Sequence, residues 1–386
     1  MRRRREGRPL RVVLVCSGLG HVTRGFETFA QDAAGALGAR EELEVTLINA
    51  HGHSASGERL APALRRARTG ARVLGRMVRR EPYWVEQASY ALSLVPVLAR
   101  ERPDVVYFSD WVVGRALGLW RQASRQRFAL LLSNGAAGQP PYDPSFDHVQ
   151  QPTPVLLEVA LRAGEPPDRH SMVPLGHTID RELELLTGGE RRALRERLGL
   201  PRRGRVVLSV AALNNWSKRI DYLIEELASL PEPRPYLVLL GQVEEETPAI
   251  LQLARSLLGE DGFSARTVPP EAMADYYRAA DALVLTSTTE GFGRVLVEAM
   301  AHGLPTIAHD YPVTHFVTGS HGTLADIRRP GALAGLLADV GEGDLNAAGG
   351  AARHGFAYRH FSWDTLAPRY VEMLSRAAAK VPRRRA

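Results

Sequence analysis

The fold is decided by one stretch of the sequence, which runs Leu285-Thr-Ser-Thr-Thr-Glu-Gly-Phe-Gly-Arg-Val-Leu-Val-Glu-Ala-Met-Ala-His-Gly-Leu-Pro305. An apolar strand ends at Leu285, a polar turn follows, and a helix opens at Gly291 and Gly293. A strand that passes through a glycine turn into a helix is typical of a parallel sheet covered by helices. The stretch therefore predicts an open α/β domain with a ligand site at this turn.

The turn also indicates which ligand binds there. Glycines at a helix start let a ligand approach the backbone, where unpaired N–H groups and the helix dipole attract anions. Glu290 precedes the helix and Glu298 lies about two turns inside it, so the carboxylates would contact a ligand at points roughly 10 Å apart. Because carboxylates repel phosphate, we expect them to face neutral hydroxyl groups, which sugars supply.

The composition favours a globular protein of two domains, with 386 residues of which 45% are hydrophobic. No apolar run approaches the roughly 20 residues that cross a bilayer, and the run from Leu10 to Cys16 predicts a buried first strand instead of a signal peptide. Because Cys16 is the only cysteine, an internal disulfide is excluded and the cytoplasm is the expected location.

Short apolar runs alternate with helical patterns along the chain, which predicts two doubly wound α/β halves joined near residues 175–200. Strands are predicted at residues 11–16, 43–48, 105–108, 128–132, 171–173, 206–210, 236–240, 263–267, 282–285 and 305–308. Helices are predicted at residues 24–37, 60–80, 90–100, 112–121, 220–230, 248–258, 270–279, 292–301 and 363–379. Open α/β sheets bind ligands beyond the carboxyl ends of their strands, so the loops there are the candidate sites.

The span from Glu290 to Glu298, followed by Ala-Met-Ala-His-Gly-Leu-Pro, resembles the signature of retaining glycosyltransferase family 4. The resemblance implies the GT-B fold, in which two doubly wound Rossmann-like domains face each other across a cleft. It implies an acceptor-binding domain at residues 1–178, a nucleotide-sugar-binding domain at 179–360, and a helix at 361–386 that crosses back to the first domain. The implied activity is transfer of a sugar from a nucleoside-diphosphate sugar to an acceptor hydroxyl.

The segment at residues 210–221 resembles the family segment that holds the donor diphosphate with a basic pair. Lys218 falls on the family lysine, whereas Ala212 occupies the family arginine position, so one expected charge is missing. The candidate replacements are Arg219, Asn214 and Asn215.

Further donor contacts are implied by the same resemblance. Glu290 would bind the sugar hydroxyls, Glu298 the ribose, and Val268 the base through its backbone. The implied donor-binding set is Gly18, Gly20, Asn214, Lys218, Arg219, Val268, Glu290, Gly291, Phe292, Gly293, Leu296 and Glu298. The implied catalytic set is Glu290, Lys218, Asp110 and His21.

A second glycine loop, at residues 17–25, follows the first predicted strand and predicts another anion cradle. Gly18 and Gly20 are present, but Thr23 replaces the third glycine of a dinucleotide fingerprint, so an NAD site is not favoured. His21 in this loop is a candidate contact to the acceptor or the leaving group. Asp110 is placed by the resemblance near the transferred sugar or the acceptor, and a helix N-cap is its alternative role.

The resemblance implies transfer with retention at the anomeric carbon and without a protein nucleophile. The acceptor hydroxyl would attack on the face from which the nucleoside diphosphate departs, and a phosphate oxygen would take its proton. Catalysis would then consist of positioning and electrostatic stabilisation. No cofactor or metal is expected, because the nucleotide sugar is a co-substrate and the His residues show no ligand spacing. UDP and GDP donors, and lipid, polysaccharide or natural-product acceptors, stay open.

The net charge of +6 and the pI of about 9.6 indicate an anionic partner. The ends at residues 2–5 and 383–385 are predicted to be solvated. The segment at 59–80 has an amphipathic spacing that predicts a basic helix. Its arginines are Arg59, Arg65, Arg66, Arg68, Arg72, Arg76, Arg79 and Arg80.

This basic segment permits three interpretations: peripheral contact with an anionic inner membrane surface, capture of an anionic acceptor, or a solvated outer helix. A nucleic-acid-binding protein is the alternative from another class, but the basic segments lack interleaved aromatic residues and no reader motif is present, so nucleic acid is not an expected partner. Another GT-B enzyme, such as a sugar-nucleotide epimerase, is the remaining alternative.

Overall fold

The computed structural model of the protein describes residues 8–21, 25–52, 58–339 and 347–381. The chain folds into two compact units. The N-terminal unit comprises Met1–Thr178 and Trp363–Ala386, and the C-terminal unit comprises Ile179–Ser362. The basic ends at residues 2–5 and 383–385 and the predicted loop position Thr23 lie outside the described residues.

The N-terminal unit contains, in the part of the chain that is described, a seven-stranded parallel sheet with the order β3-β2-β1-β4-β5-β6-β7. Its strands are β1 (Leu10–Val15), β2 (Leu43–Asn49), β3 (Glu58–Leu60), β4 (Val105–Phe108), β5 (Ala129–Ser133), β6 (His148–Gln151) and β7 (His170–Met172). Its first helices are α1 (Gly25–Gly38), α2 (Thr69–Met77), α3 (Pro82–Glu101), α4 (Trp111–Ser124) and α5 (Pro154–Arg162). The strand order reverses between β1 and β4, which opens a crevice at their carboxyl ends.

The C-terminal unit repeats this arrangement with a six-stranded parallel sheet among its described residues, in the order β10-β9-β8-β11-β12-β13. Its strands are β8 (Val206–Val210), β9 (Tyr236–Leu240), β10 (Phe263–Arg266), β11 (Ala282–Leu285), β12 (Thr306–His309) and β13 (Thr323–Ala325). Its helices are α6 (Gly188–Arg197), α7 (Ile220–Ala228), α8 (Thr247–Leu258), α9 (Met273–Ala279), α10 (Arg294–Ala301), α11 (Pro312–Thr318), α12 (Ala332–Asp339) and α13 (Ala347–Phe361). The reversal here lies between β8 and β11, so the prediction of two doubly wound units is confirmed.

Strand β6 escaped the sequence pattern because its sequence, His-Val-Gln-Gln, is polar although the strand is buried. Hydrogen bonds within the core compensate for that polarity. The amide of Gln150 donates to the Val173 carbonyl and to the Tyr370 hydroxyl, both at 2.8 Å. Its oxygen accepts a hydrogen bond from the Ser133 hydroxyl at 2.8 Å. A fully hydrogen-bonded buried amide avoids the cost of desolvating an unpaired polar group.

The prediction of one helix over residues 60–80 is wrong. Residues Glu58–Leu60 form β3, which pairs with β2, and only Thr69–Met77 is helical. The extended pairing continues past the strand, since the Ala61 amide donates to the Asn49 carbonyl at 2.9 Å. Pro62, which has no N–H to donate, follows directly. The spacing that predicts an amphipathic helix therefore applies to less than half of the segment, namely Thr69–Met77.

Helix α14 (Trp363–Ala379) belongs to the N-terminal unit and packs its apolar side against α1. The ring of Trp363 lies 5.8 Å from that of Phe29 and 4.9 Å from that of Tyr370. Gly176 permits this packing, because a Cβ there would lie 2.6 Å from the Trp363 ring. Across the described residues, no helix combines the length and the apolar surface that crossing a bilayer requires.

The contact between Gly176 and Trp363 gives a stability prediction. Gly176→Ala is expected to destabilise the protein by about 1–3 kcal/mol, because the added methyl overpacks a buried aromatic cluster. Thermal unfolding followed by circular dichroism checks this. Gly35→Ala in α1 is the matched control, because a Cβ at this position meets nothing within 4 Å. Because the substitution replaces a glycine inside a helix by alanine, it should not destabilise the protein. An unchanged melting temperature for Gly176→Ala would show that α14 does not pack as described.

Candidate active site

In the C-terminal unit, the loops after β8 and β11 flank the reversal of strand order and are joined by charged side chains. The ammonium of Lys218 donates to Oε1 of Glu290 at 2.5 Å. The Ser287 hydroxyl donates to the same oxygen at 2.5 Å, and the Thr286 hydroxyl donates to the Lys218 carbonyl at 2.6 Å. The side chains of Lys218 and Glu290 are 24% and 15% exposed, so both are accessible to a ligand. The structure thus brings together two residues of the predicted catalytic set.

Helix α10 begins beside this pair, at the predicted glycine turn. Gly293 precedes the helix in the left-handed conformation with φ of 81°, which an L side chain rarely adopts. Phe292 is buried and lies 5.7 Å from the ring of Phe361, so it anchors the turn. Gly291 is half-buried, and the amides of this turn are the anion-binding groups that the sequence predicts. Leu296 is fully buried, so its side chain belongs to the core and offers no surface to a ligand.

The second signature glutamate, Glu298, is held by two neighbours. The buried Tyr277 hydroxyl donates to its Oε2 at 2.7 Å, and Arg294 approaches its Oε1 at 3.5 Å. Burial and the Glu298 charge raise the pKa of Tyr277 well above its usual range. The ring of His302 stacks on Tyr277 at 5.4 Å, and burial together with the charge of Arg278 lowers the pKa of His302 to about 4. Glu298 is therefore fixed in place, with 27% of its side chain exposed.

The candidate replacements for the missing family arginine are engaged within the protein. The Asn214 side chain is buried: its amide donates to Glu244 at 2.7 Å, and its oxygen accepts the Lys218 amide hydrogen at 3.1 Å. Arg219 donates to the Ile327 carbonyl at 3.0 Å. Asn215 accepts a hydrogen bond from the Asp221 amide at 3.0 Å. Each of the three side chains thus has a hydrogen-bond partner within the protein, and the Lys218 ammonium group is directed at the turn.

Val268 lies on the loop that follows β10, the strand at the edge of the sheet. It is half-buried and lies two residues before a single 3₁₀ turn, Pro270–Ala272. The neighbouring Thr267 hydroxyl donates to the Gly241 carbonyl at 2.6 Å, which ties this loop to the one after β9. Val268 thus lies at the same carboxyl edge as the Lys218–Glu290 pair.

In the N-terminal unit, Asp110 occupies the crevice between β1 and β4. Its Oδ2 accepts the Ser17 amide hydrogen at 2.7 Å, and its Oδ1 accepts the Tyr83 hydroxyl at 2.9 Å. Asp110 stands at the N-cap position of α4, but its carboxylate does not cap the helix. The Gln87 side chain instead accepts the Val112 amide hydrogen at 3.2 Å. Asp110 therefore fastens the glycine loop to α3.

The glycines of this loop are required by close packing of the backbone. A Cβ on Gly20, whose φ is 86°, would lie 1.9 Å from the His51 carbonyl oxygen. A Cβ on Gly18 would lie 2.0 Å from Glu27 Oε1. Both glycines thus allow the loop after β1 to lie against the loop after β2 and against α1.

His21 is part of a buried charged cluster that the sequence analysis did not identify. Its Nε2 lies 3.2 Å from Glu86 Oε2, and Arg66 donates its Nε and Nη2 to Glu86 Oε1 at 3.0 and 2.5 Å. Burial alone would raise the pKa of Glu86, but hydrogen bonds from His21 and Arg66 lower it to about 2. The His51 ring contacts His21 edge-on at 4.4 Å, and the guanidinium of Arg66 lies over the Tyr83 ring at 4.0 Å. No sequence spacing links these residues, because they come from separate segments.

A comparison with known protein families identifies the C-terminal unit. The model of the family described as "Glycosyl transferases group 1" matches residues 190–348. Residues 190–348 therefore resemble the group 1 glycosyltransferases. Both Lys218 and the span from Glu290 to Glu298 lie inside this group 1 domain, so the predicted family resemblance is confirmed at this level.

Curated relatives match part of the chain. The D-inositol 3-phosphate glycosyltransferase of Xylanimonas cellulosilytica is 34% identical over 230 residues, which cover 56% of this chain and 54% of that protein. The mannosylfructose-phosphate synthase of Agrobacterium fabrum is 35% identical over 196 residues, which cover 47% of this chain and 42% of that protein. The chain thus spans about half the length of the curated relatives that it matches.

Solved structures extend the likeness of fold to nearly the whole chain. A sucrose-phosphate synthase from Thermosynechococcus elongatus superposes with a TM-score of 0.76 at 18% identity, covering 96% of this chain and 100% of that one. The Anabaena protein Alr3699/HepE, in complex with UDP-glucose, superposes with a TM-score of 0.73 at 17% identity, covering 95% and 99%. The predicted GT-B fold of two Rossmann-like units is confirmed.

The lowered pKa of His302 predicts acid-sensitive stability. An ordinary histidine has a pKa near 6.5 when unfolded, so the unfolded state binds the proton more readily than the folded state. The free energy of unfolding should therefore fall as the pH drops from about 6.5 to about 4. His302→Gln is expected to reduce this fall, measured as melting temperature against pH by calorimetry. An unchanged slope in His302→Gln would contradict the prediction.

Proposed function

We propose that the protein transfers a sugar from a nucleoside-diphosphate sugar to an acceptor hydroxyl, with retention at the anomeric carbon. The observation that supports this proposal is the Lys218–Glu290 pair, which joins the loops after β8 and β11 beside the amides of the α10 start. The pair lies in the domain that matches the group 1 glycosyltransferases. The donor belongs to the chemical class held by Alr3699/HepE, whose solved complex contains UDP-glucose.

The diphosphate of the donor would bind to Lys218 and to the amides at residues 291–293. Phosphate oxygens would replace Glu290 as the partner of the ammonium group, and Glu290 would then accept hydrogen bonds from the sugar hydroxyls. Glu298, held by Tyr277, would accept those of the ribose. With Ala212 in the family arginine position, Lys218 and the helix start carry more of the phosphate charge. This arrangement needs no metal ion, since fixed positive groups stabilise the departing diphosphate.

The bond-making step would use groups of the substrates. The acceptor oxygen attacks the anomeric carbon on the face from which the diphosphate leaves, the bond from that carbon to the phosphate oxygen breaks, and the departing oxygen takes the hydroxyl proton. His21, in the loop after β1, would orient the acceptor, and Asp110, in the loop after β4, would hold the His21 loop in place. The names of the curated relatives, which include inositol phosphate and mannosylfructose phosphate, place small polyols and sugars first among acceptors to be tried.

Turnover and donor binding test this proposal. UDP- and GDP-sugars are incubated with the protein, and thermal shift and nucleotide release are measured with and without EDTA. A UDP- or GDP-sugar should raise the melting temperature, because it binds the folded state alone. Glu290→Ala should lower turnover on the order of 10- to 100-fold, since it removes hydrogen bonds between a charged group and the sugar. Glu298→Ala should weaken donor binding.

Glu260→Ala, at an exposed position of the same unit that precedes β10, is the matched control and should behave as wild type. If no nucleotide sugar stabilises the wild-type protein, the donor-site proposal is wrong. Loss of activity in EDTA would contradict metal independence, and inversion at the anomeric carbon, seen by proton NMR of the product, would contradict retention.

We also propose peripheral contact with an anionic membrane through α2 and the turn after it. Arg72, Arg76, Arg79 and Arg80 line a concave pocket of ≈ 430 Å³. Residues 60–84, which include this segment, also carry exposed apolar side chains: Leu60, Leu64, Val73, Leu74, Met77, Val78, Tyr83 and Trp84. Basic residues beside exposed apolar ones are typical of a surface that binds anionic lipid.

Vesicle sedimentation tests the membrane contact. At low salt the protein should pellet with vesicles of phosphatidylglycerol and phosphatidylcholine, and less so at high salt, because the attraction is screened. Neutralising Arg72, Arg76, Arg79 and Arg80 to Gln should abolish pelleting. A control that neutralises Arg162 and Arg376, which are exposed elsewhere, should retain it. No pelleting of the wild type at low salt would overturn this proposal.

A further inference from the structure

The loop after β8 displays an indole to solvent. Trp216 is 78% exposed, two residues before Lys218. Val243, on the loop after the adjacent strand β9, is 71% exposed. Large exposed apolar side chains are common singly, but a tryptophan that keeps most of its surface in water forgoes a large burial energy. Such a residue at the carboxyl edge of a parallel sheet is well placed to meet a ligand.

The backbone on both sides of Trp216 is fixed. The Asn214 oxygen accepts the amide hydrogens of Ser217 and Lys218 at 3.2 and 3.1 Å, which closes a turn around the tryptophan. The backbone N–H of Asn215 donates to the Glu246 carboxylate at 2.5 Å, and the backbone N–H of Leu213 donates to the Gln242 carbonyl at 3.1 Å. The indole is therefore presented on a preorganised turn, so less conformational entropy is lost when a ligand covers it.

The surrounding groups favour a neutral carbohydrate as the occupant. Three consecutive glutamates, Glu244 to Glu246, stand on the loop after β9, and the Asn214 and Asn215 contacts bind two of them to the Trp216 turn. These carboxylates repel phosphates and polyanions, whereas they accept hydrogen bonds from hydroxyl groups. The C–H face of a pyranose ring stacks on an indole while its edge carries hydroxyls. An aromatic face beside carboxylates therefore matches a sugar ring.

We propose that Trp216 is the stacking platform of a sugar subsite, in which Glu245, the exposed member of the three glutamates, accepts hydrogen bonds from the ring hydroxyls. The occupant is a neutral sugar ring of the acceptor. The assignment to the acceptor rests on the proposed function, in which Lys218, Glu290 and Glu298 already hold the diphosphate, the sugar and the ribose of the donor. Trp216 is thus a specificity residue for the acceptor and not a member of the donor site.

Fluorine NMR of protein labelled with 5-fluorotryptophan tests the subsite without turnover. The chain has five tryptophans, and Trp216→Phe assigns the Trp216 resonance. Methyl β-glucoside, maltose, cellobiose and maltotriose are titrated up to their solubility limits. At least one should shift the Trp216 resonance saturably and leave that of Trp84, assigned with Trp84→Phe, unchanged. Glucose 6-phosphate should bind less tightly than methyl β-glucoside, and Glu245→Gln should weaken sugar binding.

Acceptor kinetics provide the second readout. Trp216→Ala should raise KM for the acceptor on the order of tenfold, because the apolar contact between the sugar face and the indole is lost, while KM for the nucleotide sugar stays unchanged. If none of the sugars shifts the Trp216 resonance, the proposal of a sugar subsite is wrong. If UDP shifts the resonance and no sugar does, the proposal is also wrong, and the indole is assigned to the nucleobase instead. If sugars shift the resonance but no nucleotide sugar stabilises the protein, the subsite stands and the donor proposal fails.

Discussion

The reversal of strand order in each parallel sheet is the constraint on which both candidate sites depend. Parallel strands bring all their carboxyl ends to one edge, and the loops leaving the two central strands diverge there. Each unit joins the diverging loops with one carboxylate: Asp110 binds the Ser17 amide in the first unit, and Glu290 binds Lys218 in the second. The functional side chains are thus placed by the sheet, although none of them belongs to a strand.

The two carboxylates differ in what a ligand can do to them. Asp110 is buried and already accepts two hydrogen bonds, from a backbone amide and from Tyr83, so displacing it would leave buried partners unpaired. Glu290 is partly exposed, and its cationic partner is a flexible lysine that a phosphate can take over. The first link is suited to holding a loop in place, and the second is suited to exchanging partners.

Much of the fold could be predicted from the sequence where the buried side chains are apolar, and less of it where they are polar. Strands β4, β8, β9 and β11 lie where the apolar runs predict them, and the glycine turn at residues 291–293 predicts the helix that begins at Arg294. Strand β6 was missed because its sequence is polar, and its buried Gln150 side chain is instead accommodated by hydrogen bonds within the core. The Glu86–Arg66–His21 cluster was missed because distant segments meet only after folding. The prediction of one long basic helix was wrong because the spacing of apolar residues gives no information on the pairing of β3 with β2 or on the missing N–H of Pro62.

On the proposed function, the Lys218–Glu290 pair couples recognition of the two halves of the donor. Before the donor binds, each charge neutralises the other. The Ser287 hydroxyl also donates to the Glu290 carboxylate, and the Thr286 hydroxyl donates to the backbone carbonyl of Lys218. A diphosphate that takes the ammonium group leaves Glu290 without its cation, and sugar hydroxyls are then the hydrogen-bond donors that restore its partners. A nucleotide without a sugar would break the pair and leave the carboxylate under-bonded, which costs free energy. A free sugar would have to compete with Lys218 for the Glu290 carboxylate, and it would gain little binding free energy. Only the joined molecule compensates both charges, so the pair selects the intact nucleotide sugar over either of its parts.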